Sequence, residues 1–174
     1  MDEINFEYHP QFFTATILEW KPLLKQDDFK DIIIDSLLYL KNEKSIVVYA
    51  FVIMPNHIHL IWQIQDGFKQ DKIQLRLLKF TAQKFKFKLL DTGNKALEQY
   101  RVDAKDREYQ FWERNSLSVD LWSPVVFMQK LDYIHNNPLQ QKWNLSEFAE
   151  DYKYSSARFY ETGLDEFDLL THYN

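Results

Sequence analysis

The stretch SIVVYAFVIMPNHIHLIWQI, residues 45–64, contains the longest apolar run of the chain and decides how it folds. Residues 45–54 are β-rich and apolar on both faces, which predicts an interior strand. Pro55-Asn56 is a turn signal, and the apolar pattern resumes from His57 to Ile64. The stretch therefore predicts a hairpin of two central strands. Its polar turn would be costly to bury in hydrocarbon, so we expect core and no membrane span.

The segments around this hairpin predict an α+β fold in one domain, residues 1–174. A strand at residues 11–18 and a helix capped by Asp27 or Asp28 and ending near Lys41 come before it. After it we predict a helix over 72–90, a strand near 109–113, and a helix that begins after the N-cap Ser123 and ends near Asn137. This order suits a ferredoxin-like antiparallel sheet with helices on one face and an added C-terminal helix.

The helix over 72–90 combines an apolar stripe with a basic one. The predicted apolar stripe consists of Leu75, Leu78, Ala82, Phe85 and Leu89, and the parallel polar stripe of Arg76, Lys79, Gln83 and Lys86. Residues 69–88 hold seven basic residues and one acidic residue, whereas the chain from Asn144 onward is acidic. This asymmetry is typical either of a site for a polyanion or of a solvated face.

Composition excludes several functional classes. The net charge is −5. Because the chain has only three glycines, at 67, 93 and 163, it has no phosphate loop, dinucleotide fingerprint or nucleophile elbow. It has no cysteine, so a metal site would use nitrogen and oxygen ligands. The acidic start, MDEINFEYHP, differs from a secretory signal, and we expect a cytoplasmic location.

His57 and His59 stand two residues apart on a predicted strand. The pleat of a strand points both imidazoles to one face. Two neutral imidazoles on a rigid strand are suited to hold one divalent ion together. The alternative is a pair of hydrogen-bonded histidines beside a packed sheet.

Tyr133 and Asn137 lie four residues apart, one turn of a helix, on a face separate from the apolar stripe of Phe127, Leu131 and Ile134. If this helix packs against the histidine strand, Asn137 can add an amide oxygen to the metal and Tyr133 can approach a phosphate. The sequence alone does not show whether this helix packs against the histidine strand. Tyr133 is alternatively an ordinary amphipathic tyrosine with no part in a site.

Two motifs resemble a known family. FVIMPNHIHLIW, residues 51–62, is followed by a basic helix, Trp112, and LDYIHNNP, residues 131–138. In this order and at this separation, the motifs resemble the HUH single-tyrosine transposases, in particular REP-associated tyrosine transposases and their insertion-sequence relatives. The resemblance extends from the strand at Gln11 to YSS at 154–156.

The resemblance implies a role for each matching position. His57 and His59 match the metal ligands, Tyr133 the nucleophile, and Asn137 the polar residue that completes the metal site. It implies a Mg²⁺ or Mn²⁺ ion, a ferredoxin-like fold with the tyrosine on the added helix, and cleavage of single-stranded DNA near hairpins. The enzyme would form a 5′-phosphotyrosine and leave a free 3′-hydroxyl. We expect a basic set of residues to follow the DNA backbone: Arg76, Lys79, Lys84, Lys86 and Lys88.

Two other functions fit the same residues. One is a domesticated protein that binds hairpin DNA without mobilising it. The other is a metal-dependent phosphodiesterase for a small nucleotide, in which Tyr133 is structural. A monomer and a homodimer are both compatible with the sequence.

Overall fold

Four antiparallel strands form one sheet in the computed structural model, which describes residues 9–93 and 95–173. The strands are β1 (Gln11–Thr16), β2 (Ile46–Ile53), β3 (His57–Ile64) and β4 (Leu117–Asp120). Their order across the sheet is β2-β3-β1-β4, so the predicted central hairpin pairs β2 with β3. The register sets His59 opposite Thr14 and His57 opposite Thr16 of β1.

Helices cover both faces of this sheet. The helices are α1 (Asp27–Asn42), α2 (Gln70–Asp91), α3 (Pro124–Asn136) and α4 (Ala157–Thr162). α1 and α2 share one core with the β3 residues Ile58, Leu60 and Trp62. α3 packs on the opposite face, where its apolar side chains join a second core with Ile61. The fold class predicted from the sequence is confirmed, with α3 as the added helix.

The structure confirms one of the two predicted helix N-caps. The Ser123 hydroxyl accepts a hydrogen bond from the backbone N–H of Val126 at 3.2 Å, which confirms the N-cap of α3. At α1 the N-cap is Gln26 and makes no side-chain capping bond, so the prediction of Asp27 or Asp28 was wrong. Both carboxylates lie instead in the first turn, where they interact favourably with the helix dipole.

The strand predicted near residues 109–113 is wrong, because the fourth strand is β4. Tyr109 and Trp112 each form only an isolated bridge, to Arg101 and to Ile17. The segment has the burial expected of a strand, since Trp112 lies in the core beneath α2, where its Nε1–H donates to Thr81. The edge strand β4 is largely exposed and therefore lacks an apolar signal.

The apolar face of α2 is also rotated from the predicted stripe. Leu75 is 57% exposed, and Leu78 and Ala82 are only partly buried. The buried positions follow steps of four: Ile73, Leu77, Thr81, Phe85 and Leu89. Thr81 was missed because it is polar, but its hydroxyl is satisfied by the Leu77 carbonyl at 2.8 Å.

The segment after α3 runs along the outer edge of β2. The backbone N–H of Ile53 donates to the Tyr154 carbonyl, and that of Thr171 donates to the Val48 carbonyl, both at 2.9 Å. Tyr173 stacks on Phe127 of α3 at 3.7 Å between ring centroids. This segment therefore covers the outer edge of β2 and also packs against α3.

Two expectations from the sequence concern the membrane and export. Within the described ranges, no helix combines the length and apolar character needed to cross a lipid bilayer. The expectation about export rests mainly on residues 1–8, which lie outside the described residues.

Candidate active site

His57 and His59 lie side by side on β3, on the face that α3 covers. Their ring centroids are 4.8 Å apart, and both residues are buried. The alternation of β3 sends Ile58 and Leu60 into the opposite core. The sequence prediction that both imidazoles share a face is therefore confirmed.

A neighbouring side chain holds one ring nitrogen of each histidine. His57 Nδ1–H donates to Asn56 Oδ1, and His59 Nδ1 is hydrogen bonded with Thr14 Oγ1, each at 2.7 Å. Asn56 belongs to the turn between β2 and β3, and Thr14 is the β1 partner of His59. These contacts orient both rings with Nε2 directed away from the partner.

Both imidazoles are neutral at neutral pH. Burial lowers the pKa of His57 to about 4, and the charge of Lys142 adds to this effect. Burial lowers the pKa of His59 to about 3, with smaller contributions from His57 and Lys130. A neutral imidazole keeps a nitrogen lone pair, which is the form that ligates metals.

α3 brings the other two predicted site residues to the histidines. The Tyr133 ring lies 5.2 Å from that of His59, and Tyr133 is 45% exposed. Asn137, which follows the last residue of α3, is buried, and its side chain lies close enough to His57 to raise the pKa of that imidazole against the effect of burial. The structure thus brings together all four residues that the two sequence motifs predicted.

Unpaired polar atoms are concentrated at this site. His59 Nε2, Asn137 Oδ1 and Trp143 Nε1 are buried and have no hydrogen-bond partner among the described residues. Because a buried polar atom without a partner is costly, this arrangement indicates a site built for a ligand. Trp143 belongs to the same site, since its ring lies 5.8 Å from that of His57.

The donor set at the site fits a small divalent ion. The described residues contain no cluster of three His, Asp or Glu side chains able to hold a metal, so an ion here would need the amide oxygen of Asn137. Two imidazole nitrogens and one amide oxygen are acceptable ligands for Mn²⁺, and the oxygen suits Mg²⁺. Three protein ligands would leave coordination positions for phosphate oxygens.

Two lysines that the sequence analysis did not single out flank the histidines. Lys130 Nζ lies 4.7 Å from the Phe12 ring centroid and 5.9 Å from that of Tyr133. Lys142 Nζ lies 5.7 Å from the Trp143 ring centroid. Among the described residues, neither lysine has a carboxylate within 4.0 Å. Neutral histidines beside these cations make the site attractive to an anion.

Comparison with known proteins identifies the fold. No protein-family model and no curated protein matches the chain. A solved REP-associated tyrosine transposase bound to a REP hairpin matches with a TM-score of 0.65 and 18% sequence identity, over 98% of this chain and 92% of that chain. The chain has the REP-associated tyrosine transposase fold. A protein from Deinococcus radiodurans R1, provisionally classed as a transposase, matches with a TM-score of 0.48 and 14% identity, over 78% of this chain and 95% of that chain.

This transposase fold separates the histidines from the basic residues of α2. α2 packs on the sheet face opposite to that of His57 and His59. Arg76 forms an ion pair with Glu43 at 2.6 Å, and Lys88 forms one with Asp28 at 3.1 Å. Among the described residues, the ring contacts of the two histidines involve no residue of α2. DNA contact stays a prediction for the basic residues of α2: Arg76, Lys79, Lys84, Lys86 and Lys88.

Proposed function

We propose that the protein is a metal-dependent transposase that cleaves and rejoins single-stranded DNA near hairpins through Tyr133. The observation that carries this proposal is the position of the half-exposed Tyr133 ring, 5.2 Å from that of His59, whose buried Nε2 has no hydrogen-bond partner among the described residues. The solved REP-associated tyrosine transposase that matches this chain is bound to a REP hairpin, and we propose hairpin DNA as the partner of this chain too. Its work on DNA would place it in the cytoplasm.

In the proposed reaction, Tyr133 Oη forms a bond to phosphorus while the bond from phosphorus to the 3′-oxygen breaks. The phenol loses its proton, and the departing 3′-oxygen gains one and becomes a free hydroxyl. Rejoining is the reverse reaction with a second 3′-hydroxyl, so no external energy source is needed. A bound Mg²⁺ or Mn²⁺ would supply electrostatic stabilisation of the charge that develops on the phosphate oxygens.

The side chains around the site support this chemistry. His57, His59 and Asn137 would hold the ion, and Asn56 and Thr14 keep the two rings oriented. Lys130, three residues before Tyr133 on α3, places a positive charge beside the phenol ring. Such a charge would attract the phosphate that Tyr133 attacks.

Covalent capture tests the proposal. The protein is incubated with labelled hairpin DNA from its own genomic flanks, with Mn²⁺ or with EDTA, and denatured samples are examined for an adduct. We expect an adduct that requires Mn²⁺ and is absent in Tyr133→Phe. Tyr39→Phe, at an exposed tyrosine on α1, is the matched control and should form the adduct normally.

The outcomes separate the candidate functions. Hairpin binding without an adduct, across several flanking hairpins and both metals, would refute the transposase and favour a binding protein. Hydrolysis of a small nucleotide diester by Tyr133→Phe would favour the phosphodiesterase.

A further inference from the structure

Trp20 is a large apolar side chain left in solvent at the edge of the active site. It is 61% exposed, and its ring lies 6.1 Å from that of His57 in an edge contact. Among the described residues, His57 provides the one ring contact of Trp20. Trp143 contacts the same histidine, but its ring already packs against Lys142. The faces of the Trp20 indole are therefore available to a ligand.

The backbone holds Trp20 in a strained conformation. Glu19 and Trp20 have φ values of 54° and 58°, in the left-handed region that side chains with a Cβ rarely adopt. Such strain persists only where the surrounding structure enforces it, and it is common at functional sites.

Three hydrogen bonds, two to Asn56 and one to Glu113, enforce this conformation. The Ile17 N–H donates to the Asn56 carbonyl at 2.8 Å, and Asn56 Nδ2–H donates to the Trp20 carbonyl at 3.3 Å. On the other side, the Glu19 N–H donates to Glu113 Oε1 at 2.6 Å. Because Asn56 also accepts from His57, the position of the indole is linked directly to that of the histidine.

We infer that Trp20 stacks on an unpaired nucleobase next to the phosphate that Tyr133 attacks. This inference rests on the proposed function and names the part of the DNA that the site reads. A fixed, solvent-exposed indole offers a stacking surface to any base, because every base has a π-face. Lys142, whose charge acts on the same histidine that Trp20 contacts, would meet the adjoining phosphate.

The inference predicts a requirement for an unpaired base rather than for a particular one. A base in a duplex is already stacked on its neighbours, and removing it from the stack costs free energy. Trp20 therefore favours cleavage at a single-stranded position beside a hairpin, while sequence preference would come from other contacts.

The test measures DNA binding in EDTA, so it does not depend on metal or on cleavage. The probe is a fluorescein-labelled hairpin with a single-stranded thymidine flank, and a set of probes carries one abasic position at successive sites in the flank. Fluorescence anisotropy gives the Kd for wild type, Trp20→Ala, Trp20→Phe and Trp122→Ala. Trp122 is the matched control, because it is equally exposed but follows β4, at the opposite end of β1 from His57.

We expect Trp20→Ala to weaken binding about 10-fold and Trp20→Phe to retain most of it, since a base stack contributes roughly 1–3 kcal/mol, or about 5- to 150-fold. Trp122→Ala should bind as wild type does. At one abasic position the loss caused by Trp20→Ala should disappear, because the stacking partner is already missing.

An equal loss on every abasic probe, or unchanged binding by Trp20→Ala, would overturn the inference. Failure of the wild type to bind any flanked hairpin would overturn both the inference and the proposed function. A normal adduct formed by Trp20→Ala with unchanged Kd would overturn the stacking alone, and a position-specific Trp20 effect without any adduct would overturn the transposase alone.

Discussion

The two histidines on β3 depend on neighbours that carry no metal-binding motif of their own. Thr14 and Asn56 each bind an Nδ1 atom at 2.7 Å, and so decide which nitrogen of each ring faces the site. Partners of this kind fix the orientation and the tautomer of a metal-ligating imidazole. In the proposed metal site, the affinity for an ion would therefore depend on residues outside the ligand set.

Replacing Thr14 with valine should weaken binding of Mn²⁺ about 10-fold, because the valine has the same shape but leaves His59 Nδ1 without a partner. Titration calorimetry with Mn²⁺ measures the change. Thr14→Ser keeps the hydroxyl and should bind Mn²⁺ almost as well as wild type. Equal affinities for the valine and serine variants would show that this contact does not orient His59.

The sequence predicted the residues of the proposed active site better than the neighbours that orient them. His57, His59, Tyr133 and Asn137 follow from two local motifs, and the structure brings them together. Thr14 reaches the site through strand register, because it lies 45 positions before His59 along the chain. No local spacing encodes such a contact.

At the scale of elements, the errors share a cause. β4 is an exposed edge strand and α2 places a threonine in the core, so hydrophobic pattern alone misassigned both. The central hairpin and α3 were predicted correctly because their signals, an apolar run and a Ser-Pro start, are strong and local.

Leu77 and Leu75 test the corrected face of α2. Leu77→Ala should lower the free energy of unfolding by roughly 2–5 kcal/mol, because it leaves a cavity between α2 and the sheet. Leu75→Ala, at a 57% exposed position, should change it by less than about 0.5 kcal/mol. Urea denaturation of both variants measures the difference. A larger loss for Leu75→Ala than for Leu77→Ala would contradict the corrected face and support the stripe predicted from the sequence.

At the scale of the whole molecule, both faces of the sheet are covered, and this buries His57 and His59 and partly buries His135. Burial lowers the pKa of His57 and of His135 to about 4, and that of His59 to about 3. His135 lies on α3 and is hydrogen bonded with Ser156 at 2.8 Å. Unfolding exposes all three to water, where a histidine titrates near pH 6.5.

Stability should therefore fall as the pH decreases below about 6.5. The unfolded chain then takes up protons that the folded chain does not, and this difference ends only below the folded pKa values, near pH 4 and 3. Urea denaturation at pH 7 and pH 5, in EDTA, measures the effect. Between these pH values His135→Gln should lose about 2 kcal/mol less than wild type. Identical losses would mean that His135 is protonated in the folded protein.

The segment after α3 also covers one of the two edges of the sheet. A sheet has two edges, and an uncovered edge offers its backbone N–H and C=O groups to any passing strand. Here Tyr154, Ser156 and Thr171 already bond to the edge of β2, and the other edge, β4, is only four residues long. The acidic segment from residue 144 onward thus protects the edge of β2 against edge-to-edge aggregation. The proposed transposase would have to remain dispersed while it searches for DNA hairpins, and it would benefit from such protection.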